Sequence, residues 1–230
     1  IAALQAGEGL DDTGRFGTTN GAAMRVMPVA IASPATPLAE LIDWVEETCR
    51  LTHNTSVAIG AAAAVACVAS AGIDGASFEE ALPAALEACR LAERRGVQAR
   101  GAQISEALAR ALSLTDTPAG MASEEDVVAS IGTTVAAIES VPAAFAIVRL
   151  AKGDPWHAAM VSANVGGDTD TIGAIACGMA AACAGTAGLP ASAVETVTRT
   201  NGLELEGLAS DLLRLREIRA MGARASDLVR

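Results

Sequence analysis

Asp168-Thr169-Asp170-Thr171 places two carboxylates and two hydroxyls in four consecutive residues, after Gly166-Gly167 and before a long Ala/Gly-rich apolar run. Short acidic oxygens beside a hydroxyl suit a hard divalent cation such as Mg²⁺. Side chains two apart on a helix point about 200° apart, whereas in extended backbone they share a side. The pair therefore aims at one point if residues 166–170 form a turn and Thr171 opens a helix. The competing reading is capping: Asp and Thr are favoured N-caps, and a carboxylate near a helix N-terminus is stabilised by the dipole. One capping Asp needs neither a second acid two residues on nor a preceding Gly-Gly.

Two further polar clusters lead into small-residue helices: Thr18-Thr19-Asn20-Gly21 before Ala22-Ala23, and Thr52-His53-Asn54-Thr55 before Ala61-Ala62-Ala63-Ala64. Helices lined with Gly and Ala approach closely. If the three pack together, their N-termini gather round one pocket, with free N–H groups that suit phosphate. Alternatively these helices only pack well and their caps are unrelated. His53 either hydrogen-bonds a ligand or is satisfied within its own cap. His157 is read as packing or capping. Arg25 faces a phosphate or makes a structural ion pair, the latter favoured. Asp11-Asp12-Thr13 is read as a solvated turn, although a second acidic cluster would complete a two-metal centre. Glu139 is either an inward-drawn acid or a surface cap. Arg90, Arg94, Arg95 and Arg100 read as a solvated helix face.

The elements that must position these groups read as helices almost throughout: 21–32, 38–52, 55–71, 77–92, 97–112, 123–139, 141–152, 154–164, 171–186, 190–200 and 204–219. Ser77 with Glu80 forms a capping box, and Pro142, Pro155 and Pro190 fit first-turn positions. Residues 115–122 read as the most loop-like stretch. No alternating strand pattern and no linker is visible, so one all-α domain over residues 1–230 is expected. With 51% hydrophobic but only 2% aromatic residues, the core must be aliphatic. The net charge of −11 argues against nucleic acid or an anionic membrane as partner. The odd count of five cysteines, without metal-type spacing, implies free thiols in a reducing compartment. The uncharged run Ile172–Leu189 is expected to be a core helix rather than a membrane span, and the protein is expected to be cytoplasmic.

Residues 166–176 resemble the C-terminal metal motif of the ADP-ribosylglycohydrolases, the group that includes the dinitrogenase-reductase-activating glycohydrolase and the crystallin J1-like proteins. Phe16-Gly17-Thr18-Thr19-Asn20-Gly21-Ala22-Ala23-Met24-Arg25, Leu51-Thr52-His53 and Ser140-Val141-Pro142-Ala143-Ala144 resemble other segments of the family, in the same order, from about Gly17 to Leu215. The resemblance implies an all-α orthogonal multi-helix bundle with two Mg²⁺ ions in a cleft. It implies Asp168, Asp170 and Thr171 as metal ligands, Thr19, Asn20 and Gly21 in the substrate loop, and His53 and Ser33 lining the ADP-ribose pocket. It further implies hydrolysis of an N- or O-ribosyl bond, in an ADP-ribosylated protein or a small ribosyl compound.

The family also carries an N-terminal Gly-Asp segment and a Thr-Asp-Asp-Thr segment that supply the other metal ligands and the catalytic carboxylate. Residues 1–16 contain neither, and Ile1-Ala2-Ala3-Leu4-Gln5 reads like the middle of a helix. The chain is therefore expected to lack an N-terminal segment, to bind metal weakly and to be inactive alone, and its catalytic residue is unassigned. The alternatives are a non-catalytic binding or structural relative in the manner of crystallin J1, and a hydrolase of a smaller ribosyl metabolite.

Overall fold

A computed structural model describes residues 5–7, 9–101, 103–116 and 123–227. Most of the expected loop at 115–122, and Ile1 to Leu4, lie outside them.

The fold is all-α, with only two isolated bridges, Thr19 to Ala136 and Thr55 to Val97, among the described residues. A short α1 (Leu10–Thr13) and a 3-10 turn (Ala23–Arg25) precede α2 (Met27–Ala32), α3 (Leu38–His53), α4 (Ser56–Ile73) and α5 (Phe78–Ala92). There follow α6 (Ile104–Leu114), α7 (Glu124–Ile131), α8 (Ala137–Leu150), α9 (Pro155–Asn164), α10 (Thr169–Ala184), α11 (Ala191–Asn201) and α12 (Leu205–Asp227).

Helix α4 is the axis of the molecule. It is apolar on every side, as a helix surrounded by others must be, and α3, α5, α8 and α10 all pack on it. By length and composition α4 could cross a membrane; here most of it is buried by its neighbours. Small residues permit the close approach: a methyl group on Gly72 would meet the Ala182 backbone of α10 at 2.8 Å. The apolar run after the Asp-Thr-Asp motif is α10, which ends at Ala184.

Local rules set several boundaries as read. Ser77 and Glu80 form both bonds of the capping box of α5, and Pro155 occupies the first turn of α9. Others differ. The expected helix over 97–112 starts only at Ile104, because Val97 is extended and exchanges backbone bonds with Asn54 and Ser56. The expected helix over 123–139 breaks in two. Gly132 leaves α7 with φ +104°, and the β-branched Thr133, Thr134 and Val135 form a loop before α8 begins at Ala137. Pro142 then lies inside α8 rather than in its first turn, removing one ladder bond. Residues 21–32 divide into the 3-10 turn and α2.

Candidate active site

The Asn20 loop is clamped from three sides. Towards α3, its preceding residues press on the helix C-terminus: the Gly14 carbonyl accepts from the Asn54 backbone N–H at 2.9 Å. At α4, the Thr55 hydroxyl donates to the Gly17 carbonyl at 2.6 Å while accepting from the Ala58 N–H to cap the helix. Towards α8, the loop forms a short antiparallel bridge: Asn20 N–H donates to Val135 O at 2.9 Å and Ala137 N–H to Thr18 O at 3.1 Å.

Within this clamp two consecutive residues join the two halves of the site. The Thr19 hydroxyl lies 2.8 Å from His53 Nε2. The buried Asn20 side chain donates through Nδ2 to Asp168 Oδ2 at 2.5 Å and to Ser140 Oγ at 3.0 Å. The Ser140 hydroxyl donates in turn to Ala136 O at 3.0 Å. The N-terminal ends of α4 and α10 thus meet on one loop.

The Asp168 carboxylate does not cap its helix. Asp168 is the N-cap residue of α10, but its side chain accepts no backbone N–H there and is instead engaged by Asn20. The helix opens at Thr169, two residues before the position expected, so Asp170 lies in its first turn. Asp170 is exposed and has no hydrogen-bond or ion-pair partner among the described residues. Thr171 is half-buried, three residues after Asp168 on the same side of the first turn. Gly167 explains the Gly-Gly: at φ +71° a side chain is strained, and a Cβ would lie 2.2 Å from Thr133 O. That contact brings the Asp168 N–H onto Thr133 O at 2.7 Å.

His53 is half-buried, between Thr19 at Nε2 and the Thr52 hydroxyl at Nδ1. Burial, and then the Arg25 guanidinium, push its pKa below the ordinary 6.5, favouring the neutral ring. Gly21 packs against the ring edge: a Cβ there would meet His53 Cε1 at 2.7 Å. Arg25 makes no ion pair among the described residues. It donates to Gly21 O, Thr48 O and the Thr52 hydroxyl, securing the loop to the last turn of α3.

Ser33 does not join these groups. Its hydroxyl accepts from Arg219 and its carbonyl accepts from Ser70 and Arg216. Ser70 is fifteen residues along α4 from Thr55, about 22 Å at 1.5 Å per residue. Ser33 therefore sits at the far end of the axis, where it anchors α12. Other expectations resolve locally. His157 pairs with Glu124 at 2.8 Å and its N–H is capped by Asp154. Thr13 donates to Leu51 O in α3. Arg95 bridges to Asp43 and Glu46 of α3 instead of being solvated, and Arg90 pairs with Glu87.

The sequence reading missed Ser140 and the 132–136 loop. Their signal was present: a glycine followed by three β-branched residues is poor helix sequence. A cleft of about 560 Å³ lies elsewhere, between α5 and α6. Its Arg90 and Arg94 are balanced by Glu93 and Glu106, and Glu93 is already bonded to Ser105. The expected site residues lie elsewhere, at the Asp168 turn and the Asn20 loop.

The donor chemistry there fits a hard divalent cation, all oxygen and no sulfur. The number is small, and no group of three His, Cys, Asp or Glu suited to a metal exists among the described residues. By themselves these oxygens do not complete a coordination shell.

Comparison with known proteins agrees with this architecture. Residues 1–220 match the ADP-ribosylglycohydrolase family, reaching further towards the N-terminus than the motifs alone. The chain is 32% identical over 220 residues to "Uncharacterized protein YegU" of Escherichia coli (strain K12), covering 95% of this chain and 66% of that protein. It is 31% identical over 180 residues to an "Uncharacterized protein" of Archaeoglobus fulgidus, covering 77% of this chain and 53% of the other. The chain thus spans less than two thirds of the length of either relative. It belongs to the ADP-ribosylglycohydrolase family.

Proposed function

We propose that this member of the ADP-ribosylglycohydrolase family is a Mg²⁺-dependent glycohydrolase that cleaves an ADP-ribosyl linkage at the anomeric carbon of the ribose. The family supplies the glycohydrolase class. The observation that carries the finer reading is the Asn20–Asp168 bond, which ties the expected substrate loop to the expected metal turn.

In this reading Asp168, Asp170 and Thr171 hold Mg²⁺, which when bound orients ribose hydroxyls and acidifies a water. Asn20 fixes one Asp168 oxygen, leaving the other for a ligand. Thr19, held by neutral His53, presents its hydroxyl to the sugar-phosphate. The bond from the anomeric carbon to the leaving nitrogen or oxygen breaks through an oxocarbenium-like state, water oxygen takes its place, and the leaving group departs with a proton. Asp168 already accepts from Asn20, and the proton-transferring carboxylate is not assigned to any described residue. The substrate is an ADP-ribosylated protein or a small ribosyl compound, and the five free thiols fit a reducing, cytoplasmic setting.

The test is release of ADP-ribose from ADP-ribosylated arginine by the full-length protein, with Mg²⁺ or with chelator. Mg²⁺-dependent release that Asp170→Ala abolishes supports the reading. Metal binding at the turn without turnover of any ribosyl substrate contradicts it.

A further inference from the structure

Loop 132–136 bonds both the Asn20 loop and the Asp168 turn through its backbone. Its Thr133 carbonyl takes the Asp168 N–H at 2.7 Å, and its Val135 carbonyl takes the Asn20 N–H at 2.9 Å. A five-residue loop with three β-branched residues has no helical ladder to hold it. Its shape is held by one side chain from the next helix. Glu139 Oε2 accepts from the Thr134 hydroxyl at 2.5 Å and from the Thr134 N–H at 3.2 Å. The Thr134 hydroxyl in turn accepts from the Ala136 N–H at 3.3 Å. Gly132 closes over the same carboxylate: a Cβ there would lie 2.8 Å from Glu139 Cδ.

We infer that Glu139 is a positioning residue, a bracket that sets loop 132–136 so that its two carbonyls hold the Asn20 loop and the Asp168 turn at a fixed separation. This rests on the proposed function only for the name of what is positioned; the bracket itself is a property of the fold. Glu139 acts by accepting two hydrogen bonds, and both of its donors lie in the loop. An acid–base role requires a carboxyl that can gain and lose a proton; a bracket requires only an acceptor oxygen. Glutamine retains that oxygen and alanine removes it, so the two roles separate.

The experiment is amide hydrogen exchange on this chain for the parent, Glu139→Gln and Glu139→Ala. The Asn20 and Asp168 amides report the bracket, and the Ala64 amide in the middle of α4 is the control. Glu139→Ala is expected to speed exchange at Asn20 and Asp168 together by at least tenfold, with Ala64 unchanged. Glu139→Gln is expected to stay within threefold of the parent at all three. If Glu139→Ala does not fold, Thr134→Val, which removes the shorter bond from the other side, is expected to show the same paired acceleration. Unchanged exchange at Asn20 and Asp168 in Glu139→Ala, or acceleration at only one of them, overturns the inference. So does a Glu139→Gln protein that behaves like the alanine variant. None of these readouts depends on turnover, so the bracket can fail while the proposed reaction stands, and the reverse.

Discussion

Asn20 Nδ2 lies 2.5 Å from Asp168 Oδ2, across 148 positions of sequence, and the same nitrogen reaches Ser140 Oγ. This amide is the point where the Asn20 loop, the Asp168 turn and α8 meet. Because Asn20 is buried, its removal leaves Ser140 and Asp168 without their donor. Asn20→Ala is expected to lower folding stability by about 1–3 kcal/mol, measured by urea denaturation. It should also weaken Mg²⁺ and ADP-ribose binding together, because one change releases both halves.

Gly21 is the sharpest test of the His53 wall. A methyl group there meets the imidazole edge at 2.7–2.8 Å, so the ring must move off Thr19. Gly21→Ala is expected to reduce ADP-ribose affinity by roughly tenfold, equivalent to about 1.4 kcal/mol. Isothermal titration reads the affinity, and melting should fall by only a few degrees. Unchanged affinity would place the ligand away from His53.

His53 carries a pH signature. Its folded pKa lies below 6.5, first from burial and second from Arg25. The unfolded chain takes the proton near 6.5, so the stability contributed by neutral His53 is complete above that value. It is lost as pH falls through the depressed folded pKa. An imidazole C–H titration by NMR should show a midpoint below 6.5 for His53, moving upward in Arg25→Gln. A parent midpoint above 6.5 would mean that the ring is stabilised as a cation.

At the other end of α4, Arg216 is nearly buried and donates to Ala30 O, Ser33 O, Ser70 O, Ser70 Oγ and the Asp74 carboxylate. Arg219 beside it stacks on Trp44 at 3.8 Å. These polar contacts fasten α12, which carries exposed Leu205, Leu208 and Leu213. Arg216→Met is expected to cost on the order of 3 kcal/mol, because several buried carbonyls lose a partner. Amides of residues 205–227 should lose exchange protection while the Asn20 and Asp168 amides keep theirs.

The helices were legible wherever local chemistry decides. Ser77 and Glu80 mark a cap, Pro155 a first turn, and the Ala/Gly run of α4 a fully surrounded helix. The Asp168 turn and the polar loops were legible as candidate chemistry from their residue types and spacing. What failed depended on partners distant in sequence. Val97 is extended because Asn54 and Ser56 offer it hydrogen bonds, and the loop after Gly132, signalled locally by its β-branched run, is held by the Asn20 and Asp168 N–H groups. Ser33 was placed in the pocket on resemblance, whereas its bonds to Ser70 and Arg219 hold it near the opposite end of α4.

The measurement that bears most directly on the central claim is a titration of the isotopically labelled chain with ADP-ribose, in the presence and absence of Mg²⁺, followed by amide chemical shifts. The account predicts that ADP-ribose with Mg²⁺ shifts Asp168 to Ile172, Gly21 and His53 as one group, and that Asp170→Ala abolishes the metal-dependent part. Shifts confined to the α5–α6 cleft, or a metal effect indifferent to Asp170, would contradict it.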